Sequence, residues 1–217
     1  MKKTIRRIAF VLLAAASVPA LALTEPGAQQ LERIQGRWAE IHYKMPAASR
    51  EAAFAELAQE ADRAVAAEPK AAELRIWKAI VLSTWAGAKG GLGALDLVKQ
   101  AKGELEQAMQ LDAKALQGSA YTSLGSLYYQ VPGWPIGFGD DKKAEAMLRQ
   151  ALVLNPDGID PNYFYGDFLQ RQKRYAEAKA ALEKALAAAD RPGRAGADAG
   201  RREEARQLLK TVQAKLG

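Results

Sequence analysis

Between residues 160 and 186, apolar positions recur every three or four residues along two stripes separated by the polar run Arg171-Gln172-Lys173-Arg174. Gly166 sits where the first stripe needs a small residue, and Tyr175, Ala178, Leu182 and Ala185 form the second. Residues three and four apart share one helix face, so this period predicts a helix, a tight turn and a second antiparallel helix. The pattern recurs upstream. Tyr121, Leu124, Gly125 and Tyr128 are followed by Ala144, Leu148, Ala151 and Pro156, and Leu74, Trp77, Val81 and Trp85 by Ala101, Leu105 and Ala108. A further set, Phe54, Leu57, Ala61 and Ala64, is closed by Pro69. Strand-like alternation never extends beyond a few residues, and the abundance of Ala and Leu favours helix throughout.

A helix pair of about 34 residues with small, aromatic and alanine positions in this order resembles a tetratricopeptide repeat (TPR). The resemblance implies an all-α fold, a right-handed superhelical solenoid of about four TPR-like helix pairs with a C-terminal capping helix. The pairs are expected over residues 31–69, 70–113, 116–158 and 159–192, followed by a flexible linker over 193–200 and the cap over 201–217. On the cap, Ala205, Leu208, Leu209 and Val212 are expected to cover the open end while Arg201, Arg202, Glu203, Glu204 and Lys210 stay in water.

Two of the units depart from the template at the same place. Ala86-Gly87-Ala88-Lys89-Gly90-Gly91-Leu92-Gly93 and the stretch from Val131 to Asp141 both lengthen the turn between first and second helix. Equivalent turns of a solenoid lie along one edge, so both loops are expected to project from that edge. Asp140 or Asp141 can cap the helix that follows the second loop.

Residues 1–22 combine the basic start Met1-Lys2-Lys3-Thr4-Ile5-Arg6-Arg7, an apolar run from Ile8 to Val18, and small residues at Ala20 and Ala22. This is the pattern of a signal peptide cleaved after Ala22, and it predicts export, a bacterial periplasm fitting best. The apolar run is too short for a confident membrane span. Residues 23–30, with Pro26 and Gly27, read as a flexible leader.

The formal net charge of +6 suggests a polyanion partner until the amino terminus is set aside, where Lys2, Lys3, Arg6 and Arg7 supply four charges and leave about +2. Nucleic acid is therefore not expected as a partner. The chain has no cysteine and one histidine, His42, which leaves no disulfide, no thiolate site and no recognisable nucleophile and base. Gly87 to Gly93 has neither a preceding strand nor a Gly-Lys-Ser or Gly-Lys-Thr sequence, so it reads as a glycine hinge and not a phosphate loop. No catalytic residue, cofactor or metal is expected.

A protein or peptide partner is expected instead. In the TPR class the first helices line a concave face, and the resemblance places Thr122, Ser126, Tyr129, Tyr163, Asp167, Gln170 and Arg171 there, with Arg75 joining from an earlier unit. That surface is polar and aromatic without one dominant sign, which suits an extended peptide or a partner helix. In the second loop, Trp134, Ile136 and Phe138 support two readings at this point: a docking element, because exposed aromatics are enriched where partners bind, or a flap folded back over the helix ends. The expected function is an exported, non-catalytic interaction scaffold; the alternative is a small-molecule binder with an aromatic pocket near Trp134. Within the class, exported chains of four units with glycine-rich insertions are similar to the periplasmic T-component of tripartite ATP-independent (TRAP) transporters, which implies an accessory role beside a solute-binding subunit. The lipidation cysteine is lacking here.

Overall fold

The computed structural model describes residues 23–217, and the export signal expected over residues 1–22 lies outside them. Every regular element among the described residues is a helix: α1 Glu25–Lys44, α2 Ala47–Ala67, α3 Ala72–Lys89, α4 Gly93–Asp112, α5 Ala115–Gln130, α6 Asp141–Leu154, α7 Ile159–Arg171, α8 Tyr175–Ala187 and α9 Ala195–Gln213. None of them is long and apolar enough to cross a membrane. Each helix packs on its successor, and the alternate helices also pack on one another, α1 on α3, α3 on α5, α5 on α7 and α7 on α9. This is a helical solenoid with α1, α3, α5, α7 and α9 inside and α2, α4, α6 and α8 outside.

The solenoid returns on itself. α9 packs against α1, so the five inner helices close into a ring. The two ends of the inner row of helices therefore meet instead of lying apart.

Close packing depends on small residues where first and second helices meet. Ala101, Ala108, Ala144, Ala151, Ala178 and Ala185 on the outer helices are fully buried. Gly125 lies against Leu148, and Gly166 against Leu182, so that a Cβ at either glycine would meet the leucine Cγ at 2.8 and 2.7 Å. The two contacts are equivalent, and the sequence separation in the first is larger by about the seven residues of the loop insertion, a direct sign that α5–α6 and α7–α8 are copies of one unit.

Three boundaries differ from the sequence expectation. α1 begins at Glu25 in place of a flexible leader, because Thr24 accepts the Gly27 amide N–H at its N-terminus and Pro26 falls where no amide is needed. The first insertion is taken up mainly by helix: α3 runs on to Lys89 through Gly87, and the break is confined to Gly90, Gly91 and Leu92, with both glycines at positive φ. The expected linker over 193–200 is helical from Ala195 onward. Gly193, at φ +70°, makes the turn, and Gly200 leaves room for the Tyr43 ring to pack against the α9 backbone.

Gly166→Ala and Gly125→Ala are expected to lower stability by about 1–3 kcal/mol each through overpacking. Gly36, exposed in α1 with no atom near the position a Cβ would take, gives the opposite expectation: Gly36→Ala raises stability by about 0.5–1 kcal/mol. Thermal melts of the three variants check both signs.

Candidate docking surface

The loop between α5 and α6 is ordered by its own backbone. The Gly139 amide donates to Pro132 O at 3.0 Å, and the Asp140 amide to Tyr128 O at 2.8 Å, closing the loop at its base. The Asp140 side chain then caps α6, accepting from the amides of Lys142 and Lys143 at 3.0 Å each, as its position before the helix predicts.

The three apolar side chains of this loop take different positions. Phe138 folds back, its ring edge-on to Tyr128 at 5.8 Å. Ile136 is 61% exposed and Trp134 90% exposed. On the same edge, Leu92 at the start of α4 is 83% exposed.

Beside the loop, the outer helices α4 and α6 leave a groove floored by α5. Met109 from α4, Leu124 and Tyr128 from α5 and Met147 from α6 line it, with Glu106, Gln110 and Lys143 at its rim, over about 450 Å3. It continues through Glu106 into a second hollow of about 430 Å3, where Ile136 and Phe138 face Lys99, Lys102 and Gly103 of α4. Trp134 lines neither part.

The residues expected on the concave face lie on α5 and α7, and three of the seven, Tyr129, Asp167 and Arg171, engage one another. Thr122 and Tyr129 are buried. The Tyr129 hydroxyl donates to Asp167 Oδ2 at 2.7 Å, and the Arg171 guanidinium lies 5.0 Å from the Tyr129 ring centroid. Burial pushes the Tyr129 phenol up, and the Asp167 charge adds to the effect. Ser126 donates to its own helix at Ser123 O, Gln170 is half-buried and Arg171 is exposed. Tyr163 lies beneath Arg201 of α9. Arg75 is engaged elsewhere, paired to Glu104 of α4 at 2.6 Å; with Lys78, which bridges Glu104 and Asp62, it ties α2, α3 and α4 together.

The ring closes through side chains that include Arg201 and Glu204, both expected in water. Arg201, expected in water, is 8% exposed. Its guanidinium lies 4.5 Å from the Tyr163 ring centroid and 4.7 Å from that of Phe164, donates to Asp160 at 2.8 Å, and reaches Glu204 at 2.7 Å. Asp160 also holds Arg191 at 2.6 Å, and Arg191 in turn holds the buried Asp198. From α1, His42 Nε2 and the Tyr43 hydroxyl reach the Glu204 carboxylate at 3.3 and 3.4 Å. Trp38 stacks on His42 and meets Trp77 edge-on, and the Arg194 guanidinium covers Trp77 at 4.7 Å. α1, α3, α7 and α9 are thus joined at one seam.

Burial works against the charge on Asp160, yet Arg201 and Arg191 override it and hold the carboxyl down to about 2. Burial likewise opposes ionisation of Glu204, whose carboxyl is nonetheless lowered by His42 and Arg201. Tyr163 is pushed up to about 12, by burial above all. Among the described residues, no cluster of three or more His, Asp or Glu side chains is suited to a metal.

No family model matches the chain, and no curated protein matches it. Among solved structures it is similar to MamA, with 20% identity and a TM-score of 0.40 over 76% of this chain and 89% of that one. It is also similar to TTC0263, a thermophilic TPR protein in Thermus thermophilus, with 20% identity and a TM-score of 0.41 over 85% of this chain and 99% of that one. The repeat assignment rests on the chain's own helix pairing and on the matched Gly125–Leu148 and Gly166–Leu182 contacts.

Because Asp160 ionises more easily when folded than its unfolded value of 3.8, its contribution is present above that value and is lost as pH falls towards about 2. The shift corresponds to about 2 kcal/mol. Wild-type melting temperature is expected to drop through this window and Asp160→Asn to flatten the drop, as a pH series of melts shows. Arg201→Ala, which removes one of the two arginines on Asp160 and one partner of Glu204, is expected to destabilise by less than the roughly 3–5 kcal/mol of a fully uncompensated buried charge, because Arg191 still holds Asp160 and His42 still reaches Glu204.

Proposed function

We propose that this chain is an exported, non-catalytic scaffold that receives a helix or extended segment of a protein partner in the outer groove between α4 and α6. One observation carries the reading: Met109, Leu124, Tyr128 and Met147 line a groove between two outer helices, with Glu106, Gln110 and Lys143 beside them and the Ile136–Phe138 segment in the hollow that continues it. A helix laid in such a groove buries apolar residues at three- and four-residue spacing, and methionine adapts to varied partners. The groove is a surface hollow and not an enclosed cavity. This suits a polypeptide better than a small ligand, whose pockets enclose roughly 70–90% of its surface.

Export rests on the three-part pattern of residues 1–22, and the absence of disulfide-forming residues is compatible with it. A narrower form of the reading is an accessory subunit of a TRAP-type transporter, seated beside an exported solute-binding protein. Glycine-rich insertions at one place in two consecutive units support that form.

Affinity capture from an extract of the source cells, run with the parent and with Met147→Glu, tests the groove. A single protein retained by the parent and bound roughly thirtyfold more weakly by the variant is the expected result. Equal capture by both, at matched melting temperature, would place the docking surface elsewhere.

A further inference from the structure

The loop between α5 and α6 presents a preformed apolar knob. Trp134 at its tip is 90% exposed. The Ile136 and Gly137 amides both donate to Gly133 O, at 3.2 and 3.1 Å, and the Gly139 amide donates to Pro132 O at 3.0 Å. Pro132 and Pro135 fix two further backbone angles. A segment already held in one shape loses little freedom when it binds. From Val131 to Gly139 the Trp134 indole N–H is the one side-chain hydrogen-bonding group, so a partner must meet this loop through shape.

Knob and hollow lie side by side on one face of the molecule. Residues 135–138 face α4 in the hollow that continues the groove, whereas Trp134 lines neither part. The tip thus stands next to the groove of its own chain without entering it. A two-fold axis passing between the two features sets the tip of each copy over the hollow of the other. An unrelated protein laid in the groove leaves Trp134 in water unless it brings a second hollow of its own. A second copy of this chain brings knob and hollow together.

The charges around the loop let this face meet itself. Lys99 stands 4.0 Å from Asp96 and Lys143 3.8 Å from Asp140, Lys102 is paired with Glu106, and Lys142 adjoins Asp141. Each lysine is matched by an acid, which leaves no net charge. In an isologous contact every charge faces the same set of charges, so a face of one sign repels its copy and a balanced one does not. The Lys99 and Lys143 pairs are long, with lysine side chains 61% and 62% exposed, and exposed pairs of this kind exchange partners across an interface at little cost. Aromatic rings and methionines at the centre with charges at the rim are the usual make-up of a protein–protein contact.

We propose that the groove is filled by a second copy of this chain, in a two-fold dimer in which the Trp134 tip of each copy seats among Met109, Tyr128 and Met147 of the other. The inference rests on the groove reading above and names its extended segment as the loop over residues 131–139.

Sedimentation velocity on the full chain over a concentration series reads the assembly, and the parent is expected to form dimers as concentration rises. Trp134→Ala removes the knob and Met147→Glu places a charge in the hollow. Each substitution counts twice in a two-fold contact, so at roughly thirtyfold per contact either variant weakens the dimer about a thousandfold. An equimolar mixture of the two variants restores one knob to one intact hollow and is expected to associate about thirtyfold more tightly than either variant alone. Matched melting temperatures confirm that both variants are folded. A parent that stays monomeric, an assembly larger than a dimer, a dimer that both variants leave intact, or a mixture no tighter than its components overturns the proposal. The capture experiment separates its failure from that of the groove reading. A monomeric parent that retains a different protein through Met147 overturns the second copy alone, and one whose capture is indifferent to Met147→Glu overturns both.

Discussion

The fold depends on Arg201. A stack of helix pairs leaves its first and last helices with one apolar face each, and this chain resolves both ends by bringing α9 onto α1. The guanidinium that makes this possible is buried among two aromatic rings, two carboxylates and the start of α7. A buried cation is costly unless it is paired and hydrogen-bonded, and Asp160 and Glu204 provide both. Arg201 also needs a flat surface on each side, which Tyr163 and Phe164 supply. An arginine can satisfy these demands together because its planar head donates in several directions at once; a lysine could not.

The seam differs in kind from the rest of the core. Within each pair, alanine, glycine and leucine pack at close range, and the contact is set by volume. At the seam, charge and ring geometry set the register, through Asp160 with Arg201, Glu204 with His42 and Tyr43, and Arg194 over Trp77. Ion pairs of this sort add little net stability over an apolar contact of the same shape, but breaking one is expensive. The seam therefore acts mainly by excluding other ways for the ends to meet.

How much of this was legible in the sequence follows from the same distinction. Helix pairs announce themselves through local period, and Gly125, Gly166 and the outer alanines could be placed without coordinates. The cap on α6 was legible too, because Asp140 needs only its immediate neighbours. The seam was not, since it joins residues 42–43 to 160–164 and 191–204, and no local period connects them. Glycine misled in the other direction. Gly87, Gly196 and Gly200 suggest a break, yet all three are helical, Gly200 because a neighbouring ring needs the space. The loop was legible only in part: its composition marks Trp134, Ile136 and Phe138 as a group, but only Tyr128, four residues before the loop's first proline, determines that Phe138 alone turns inward.

Closure also decides where a partner can be met. In an open solenoid the inner helices offer the natural surface, and Tyr129, Tyr163 and Asp167 would be available to a ligand. Here Tyr129 and Asp167 bond to each other and Tyr163 supports Arg201, so using any of them for a partner would first require breaking a contact that holds the ring together. The outer surface carries no such obligation. Its groove between α4 and α6 sets Met109 and Met147 beside Glu106, Gln110 and Lys143, and none of the contacts that close the ring runs through it. The same contacts that make the interior stable thus move the candidate binding surface to the outside of the ring.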